Sequence, residues 1–156
     1  MRNPYDACIS EYNRKTTGQN HTGVVDWSAD ITNERKWIRT VQNRTRVWKD
    51  VATAWLEHYH HPIHVCYYED LVSDPIGETE RILQFLNITE RRVDCLKSNL
   101  EGKFHRKSEV DRSLQYAAFN EKMRRKLDRA IESISIMLVL RGWKPIPRTE
   151  LKYLNI

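Results

Sequence analysis

No run of apolar residues in this 156-residue sequence approaches the roughly 20 that a membrane-crossing helix needs. Met1 is not followed by a signal-peptide core. As given, the chain reads as soluble, with no address of its own. Cysteine is scarce: Cys8, Cys66 and Cys95 are odd in number and far apart, with no CxxC pair. That spacing argues against structural zinc and leaves two states open, one disulfide with a free thiol or three buried thiols. Four histidines stand in 58-HYHHPIH-64, yet HExxH does not occur, and a helix end, a proline and a strand would scatter the rings. No metal is expected there. Internal repeats and a second domain are also missing.

What remains is an ordinary globular composition, 40% hydrophobic and 30% charged, and enough chain for one domain with a core. The net charge of +5 favours anionic partners on average. The charges are mixed, however, and runs such as 122-KMRRKLDR-129 read first as solvated helix faces. Of three glycosylation sequons, Asn20 lies in the polar loop 15-KTTGQNHTG-23, where a glycan is sterically easy. Asn43 falls inside an expected helix and Asn87 just after one, so both are discounted.

The elements follow from periodicity and punctuation. Asn3 reads as an N-cap, Pro4 as the first helical residue and Asp6 as a first-turn anion, giving a helix to about Arg14. From 33 to 60 there is neither glycine nor proline. Trp37, Val41, Trp48, Val51, Ala52, Trp55 and Tyr59 share one face, so a long amphipathic helix with a core tryptophan stripe is expected. Pro62 ends it, and 63-IHVCYY-68 reads as a central strand, with the strand and its turn covering 63–71. Asp74 and Pro75 then open a helix with Ile82, Leu83, Phe85 and Leu86 in the core. A short helix over 90–97, an irregular stretch over 98–113 and a last helix over 120–141 follow. That last helix buries Met123, Leu127, Ile131, Ile134 and Leu138, Gly142 caps it, and the tail after Pro145 is loop. One strand cannot make a sheet. With its first helix at residue 4, the chain reads as the C-terminal part of an α/β domain with a parallel sheet.

Three clusters could carry chemistry: Arg2 with Ser10, Tyr68-Glu69-Asp70, and 104-FHRKS-108. Open α/β sheets bind ligands beyond the carboxyl ends of their strands. Arginine offers a bidentate fork to phosphate and serine adds a hydroxyl. Arg106 and Lys107, on a loop, could close over the same anion. Taken singly, each has a bland reading as a terminal, surface or loop residue.

Taken in order, the segments 2-RNPYDACIS-10, 67-YYEDLVSDPIGETERILQFLNI-88 and Arg106-Lys107 resemble the sulfotransferases that use 3′-phosphoadenosine 5′-phosphosulfate (PAPS). The likeness is nearest to the WSC-domain-containing group, through 2-RNPYDACISEYNRK-15, 55-WLEHYHHPIHVCYYEDL-71 and 95-CLKSNLEGKFHRK-107, and it runs from Arg2 to about Trp143. It implies a P-loop NTPase-like fold, mostly helical here because the N-terminal part is not in the sequence. Residues 1–14 would hold the 3′-phosphate through Arg2 and Ser10. Tyr68 would lie near the adenine, and Arg106 and Lys107 would cover the phosphate. Ser108 stands where the family loop has glycine. The resemblance also implies a glycan acceptor, sialic acid being the suggested one, and a Golgi-luminal setting behind an N-terminal membrane anchor that this sequence does not include.

No GxxxxGK-like stretch occurs, so the 5′-phosphosulfate loop and the general base are not expected here, and the chain would hold half a donor site. Sulfuryl transfer needs no metal in principle, since a lysine can neutralise the leaving phosphate. Two other classes are weighed: a basic nucleic-acid-binding module, and a non-catalytic interaction or pseudoenzyme remnant. Against the first, the aromatics are expected on an inner stripe, and no recognised nucleic-acid fold motif is found.

Overall fold

A computed structural model describes residues 1–18, 23–89, 93–100 and 111–154. Its described residues fall into two compact units, one drawn from Met1–Arg2 and His60–His105, the other from Asn3–Tyr59 and Arg106–Ile156.

The larger unit is built on α1 (Pro4–Thr16), which starts as the sequence predicts: the Asn3 side chain accepts the Tyr5 backbone N–H at 2.9 Å and Pro4 takes the first position. Most of α1 is buried, and its open stripe is Ala7, Ser10 and Arg14, three positions on one helical face. Against it packs α2 (Arg35–Thr53), which runs into a single π-helical turn, Ala54–His58. Tyr12, Trp27, Trp37 and Phe119 meet edge to face, with ring centroids 4.9–5.5 Å apart around Trp37. The Trp37 indole N–H donates to the Ala118 carbonyl at 2.8 Å, so the largest core side chain leaves no polar atom stranded.

Helix α7 (Glu121–Leu140) buries the five residues its periodicity singles out, Met123, Leu127, Ile131, Ile134 and Leu138. Asn120 caps its start by accepting the Met123 N–H. Gly142 adopts φ +82° at its end while the Trp143 and Gly142 amides donate to Leu138 and Val139, the paired bonds of a Schellman stop. The smaller unit holds α3 (Tyr68–Ser73), α4 (Pro75–Phe85) and α5 (Val93–Ser98). Asp74 caps α4 through the Gly77 N–H, as its place before Pro75 predicts.

Several expectations fail for physical reasons. Among the described residues there is no strand, so they do not show the parallel sheet. Residues 63–67 are irregular and Tyr68 opens a helix. A strand exists only against a neighbour, and the backbone pairing here is confined to Met1. The Met1 amino group donates to the Cys66 carbonyl and the Tyr68 N–H donates to the Met1 carbonyl. That order of bonds on either side of Tyr67 is the one parallel neighbours use, reduced to a single residue.

The α2 stripe is core only in part. Trp37, Val41 and Ala52 are buried, Trp48 is half-buried, and Val51, Trp55 and Tyr59 are exposed. Beyond Ala52 the buried position is Leu56, because the wider π-helical turn rotates the stripe past Trp55. In α4, Ile82 and Leu83 are half-buried while Phe85 and Leu86 lie open, since only α3 and α5 pack beside it. At the end of the stretch expected to be irregular, and running four residues beyond it, α6 (Arg112–Ala117) forms on an Asp111 cap. The tail contains a 3₁₀ turn, Thr149–Lys152, rather than plain loop. The first helix extends two residues past Arg14, and the short helix is described over Val93–Ser98, with residues 90–92 outside the described residues.

All three cysteines are free thiols: Cys8 is buried, Cys66 half-buried and Cys95 exposed. Burial pushes the Cys8 thiol up to about 12, and burial followed by the Glu78 carboxylate raises that of Cys66. Only a thiolate alkylates readily. Iodoacetamide at mildly alkaline pH, read by mass spectrometry, should label Cys95 first, Cys66 more slowly, and Cys8 only after unfolding.

Glu11 ties α1 to α2. It accepts both Arg14 bonds at 2.9 and 3.0 Å, meets Lys15 at 3.4 Å and accepts from Arg44 of α2. The Arg14 hydrogen bonds, then those of Arg44, hold its carboxyl down at about 2 against a burial effect of opposite sign. A folded-state value below the unfolded one stabilises fully above about pH 4.5 and is lost as pH falls toward 2. Glu11→Gln should therefore cost about 2 kcal/mol at neutral pH. In chemical denaturation followed by circular dichroism, that difference should shrink across this acid range.

Candidate functional site

Two of the sequence-predicted residues come together within the smaller unit. The Arg2 guanidinium stands over the Tyr68 ring, 4.3 Å from its centroid. The two Met1 backbone bonds described above hold the neighbouring main chain, so both residues are fixed at one place by pairing rather than by side-chain packing alone. Tyr67, the residue between those bonds, is extended and 4% exposed, whereas Tyr68 is 43% exposed. Tyr67 is the extended residue before α3 and points inward, and Tyr68, the first residue of the helix, lies exposed. Burial, then the nearby Asp70 carboxylate, pushes the Tyr67 hydroxyl up to about 12, which marks it as a structural anchor that stays neutral.

A guanidinium is a planar set of five N–H donors, the kind of group whose fork fits a phosphate. Tyr68 contributes a large flat apolar face at the solvent boundary. Cation and ring together suit an anionic ligand that also carries an aromatic part.

Ser10 belongs to the larger unit. It lies on the open stripe of α1, seven residues beyond the Asn3 cap and two turns along the same face. Around it α1 is closed: Tyr5, Asp6, Cys8, Ile9, Glu11, Tyr12 and Asn13 are buried. Ser10 is itself half-buried on that face. Arg106, Lys107 and Ser108 lie outside the described residues, as does Asn20.

Of the histidine cluster, His58, His60 and His61 are exposed, and His64 is half-buried with its ring 5.4 Å from that of Phe85. Among the described residues, no three His, Cys, Asp or Glu side chains group as metal ligands would. No helix of those residues is long and apolar enough to cross a membrane. The 122–129 run behaves as a helix surface, with Lys122, Arg125, Lys126 and Arg129 exposed and Arg125 paired to Glu121 at 3.1 Å.

Sequence reasoning missed the polar network around the start of α1. Asp6 accepts from Arg112 at 2.5 Å and from the Tyr116 hydroxyl at 2.7 Å. The Tyr5 hydroxyl donates to Asp128 at 3.0 Å, and Arg148 joins Asp128 at 2.8 Å. Asn3 reaches Glu150 and the Pro147 carbonyl through its amide nitrogen. All of these partners are more than 100 residues from α1. The one local sign of them was the crowding of Asn, Tyr and Asp into a single first turn.

Comparison with known proteins gives the family of the chain. The family model described as a sulfotransferase domain matches residues 1–134. A WSCD family member of Aedes aegypti is 28% identical over 133 residues, covering 82% of this chain and 40% of that protein. The chain thus spans less than half the length of this relative. No solved structure matches it.

Proposed function

The chain belongs to the sulfotransferase family, and on that premise we propose that it carries the 3′-phosphoadenosine half of a PAPS site in an enzyme that sulfates a glycan hydroxyl. The observation that carries the reading is the Arg2 guanidinium 4.3 Å over the exposed Tyr68 ring. The residue types fit the ligand: a bidentate cation for a phosphate, an aromatic face for a purine, and a hydroxyl on the open stripe of α1.

In this reading the Arg2 fork takes two oxygens of the 3′-phosphate and Ser10 donates to the same group. Tyr68 lies against the base, and Arg106 and Lys107 add positive charge over the phosphate. When bound, PAPS supplies the sulfuryl group. None of these residues touches the reacting sulfur. They fix the nucleoside end, and binding energy gained there holds the far end in line for attack by an acceptor hydroxyl. The lysine that neutralises the leaving phosphate, and the base for the hydroxyl proton, fall in the phosphosulfate loop and its surroundings, for which these 156 residues have no candidate sequence. A glycan acceptor, sialic acid included, and a Golgi-luminal setting with a glycan at Asn20 complete the proposal. They rest on the resemblance of 55–71 and 95–107 and on the sequon itself.

Arg2→Ala and Ser10→Ala in the full-length protein should each weaken PAPS binding by about 1.5–3 kcal/mol, the range for hydrogen bonds to a charged group. Isothermal titration calorimetry measures this directly, and unchanged affinity in both variants overturns the site. These 156 residues by themselves should transfer no sulfate. Turnover by them alone would mean the phosphosulfate loop has been overlooked within this sequence.

A further inference from the structure

The 3₁₀ turn Thr149–Lys152 lies beyond residue 134, where the family match ends. Yet it carries Glu150, a carboxylate that is 0% exposed. Its tail is anchored independently of that charge. Ile146 and Leu154 are buried, the Ile146 N–H donates to Ser135 Oγ at 3.1 Å, and the Tyr153 ring stacks on Tyr116 at 5.0 Å. An apolar residue in place of Glu150 would suit such an anchor better, because a buried charge costs several kcal/mol of desolvation unless it is fully paired.

What Glu150 does is accept. One donor is Arg148 Nε, and the other is the Asn3 Nδ2 group at 2.5 Å. Asn3 Nδ2 also donates to the Pro147 carbonyl at 2.8 Å, while the Oδ1 at the other end of the same amide accepts the Tyr5 N–H and starts α1. Asparagine can split these tasks between two atoms. Aspartate has no donor, and serine or threonine has one oxygen for both. Thr149 Oγ1 adds a bond of 3.4 Å to Asp6 Oδ2 in the same first turn.

We infer that Glu150 is a positioning residue: through Asn3 it sets the start and direction of α1, and so the placement of Ser10 and of the turn that follows Arg2, for a nucleotide 3′-phosphate. This rests on the proposed donor-site reading. A role in stability alone would make Glu150 one more packing residue. A positioning role ties ligand affinity to the Asn3–Glu150 bond specifically.

The test is calorimetric titration of the full-length protein with adenosine 3′,5′-bisphosphate, well below the melting temperature of each variant. Glu150→Gln gives the buried site a donor where an acceptor is needed, and Asn3→Ser keeps a capping oxygen but removes the Nδ2 donor. Both should weaken binding by about tenfold. Ile134→Ala, a core truncation in α7 that lowers the melting temperature, should leave affinity within about twofold. If Arg2→Ala and Ser10→Ala weaken binding while Glu150→Gln and Asn3→Ser do not, the positioning role is overturned. If the unaltered protein does not bind the nucleotide, the donor-site reading itself falls. Should Glu150→Gln fail to fold, Asn3→Ser decides the question alone.

Discussion

The structure of the larger unit turns on one side-chain amide. Asn3 is fully buried, and its two polar atoms face opposite ways: the oxygen starts α1 and the nitrogen joins the tail. An N-cap normally contributes about 1 kcal/mol by satisfying a single orphan amide at the surface. Buried, the same group must satisfy both of its ends, because each unpaired one would cost about 1–3 kcal/mol. Glu150, Arg148, Asp128 and the Tyr5 hydroxyl follow from that demand as a chain of partners. Asp6, Arg112 and Tyr116 repeat the logic one turn later. The first turn of α1 is thus held on several sides by groups that have only one satisfactory arrangement, which an apolar interface would not impose.

That arrangement explains why α1 shows a single open stripe. A helix enclosed in a core is ordinarily apolar all round. Here the first turn is polar and buried, the middle is aromatic and aliphatic, and Ala7, Ser10 and Arg14 lie half-buried on one face ahead of the exposed Lys15 and Thr16. In the smaller unit the means are different. There, two backbone bonds to Met1 and the Arg2 guanidinium over the Tyr68 ring hold the pair.

The legible part of the fold was the part governed by local chemistry. Asn3-Pro4, Asp74-Pro75 and Gly142 mark their helix ends because capping depends on residues a few positions apart. The α7 stripe was complete because one regular helix packs along its whole length. The α2 stripe was misread past Ala52, where a π-helical turn changes the phase and no local residue announces it. The strand over 63–68 was misread for the opposite reason. Its composition suits a sheet, but a strand requires a partner, and the paired length here is one residue. At the candidate site, Arg2 and Tyr68 were legible as residue types and their contact was not, since they lie 66 positions apart. The Glu150 contact was beyond reach for the same reason, and it sits on a tail that reads as loop.

Half of a donor site, as proposed for this chain, is a coherent thing for a polypeptide segment to specify. In transfer of a charged group between oxygens the protein forms no bond to the moving atom, so the work divides into neutralising the leaving oxygen and fixing where it stands. The second task can be done far from the reaction, since a nucleotide gripped at one phosphate and its base has little freedom left at the other. Such a grip has to be rigid more than it has to be reactive. The pieces seen here match that requirement: an arginine braced on a ring, a hydroxyl on an enclosed helix, and a cap locked from behind by a buried carboxylate. A cationic patch assembled for loose attraction of anions would need none of the buried pairing and would place its charges in solvent, as the 122–129 surface of α7 does. The contrast between that solvated run and the braced Arg2 separates a positioned charge from a merely positive one.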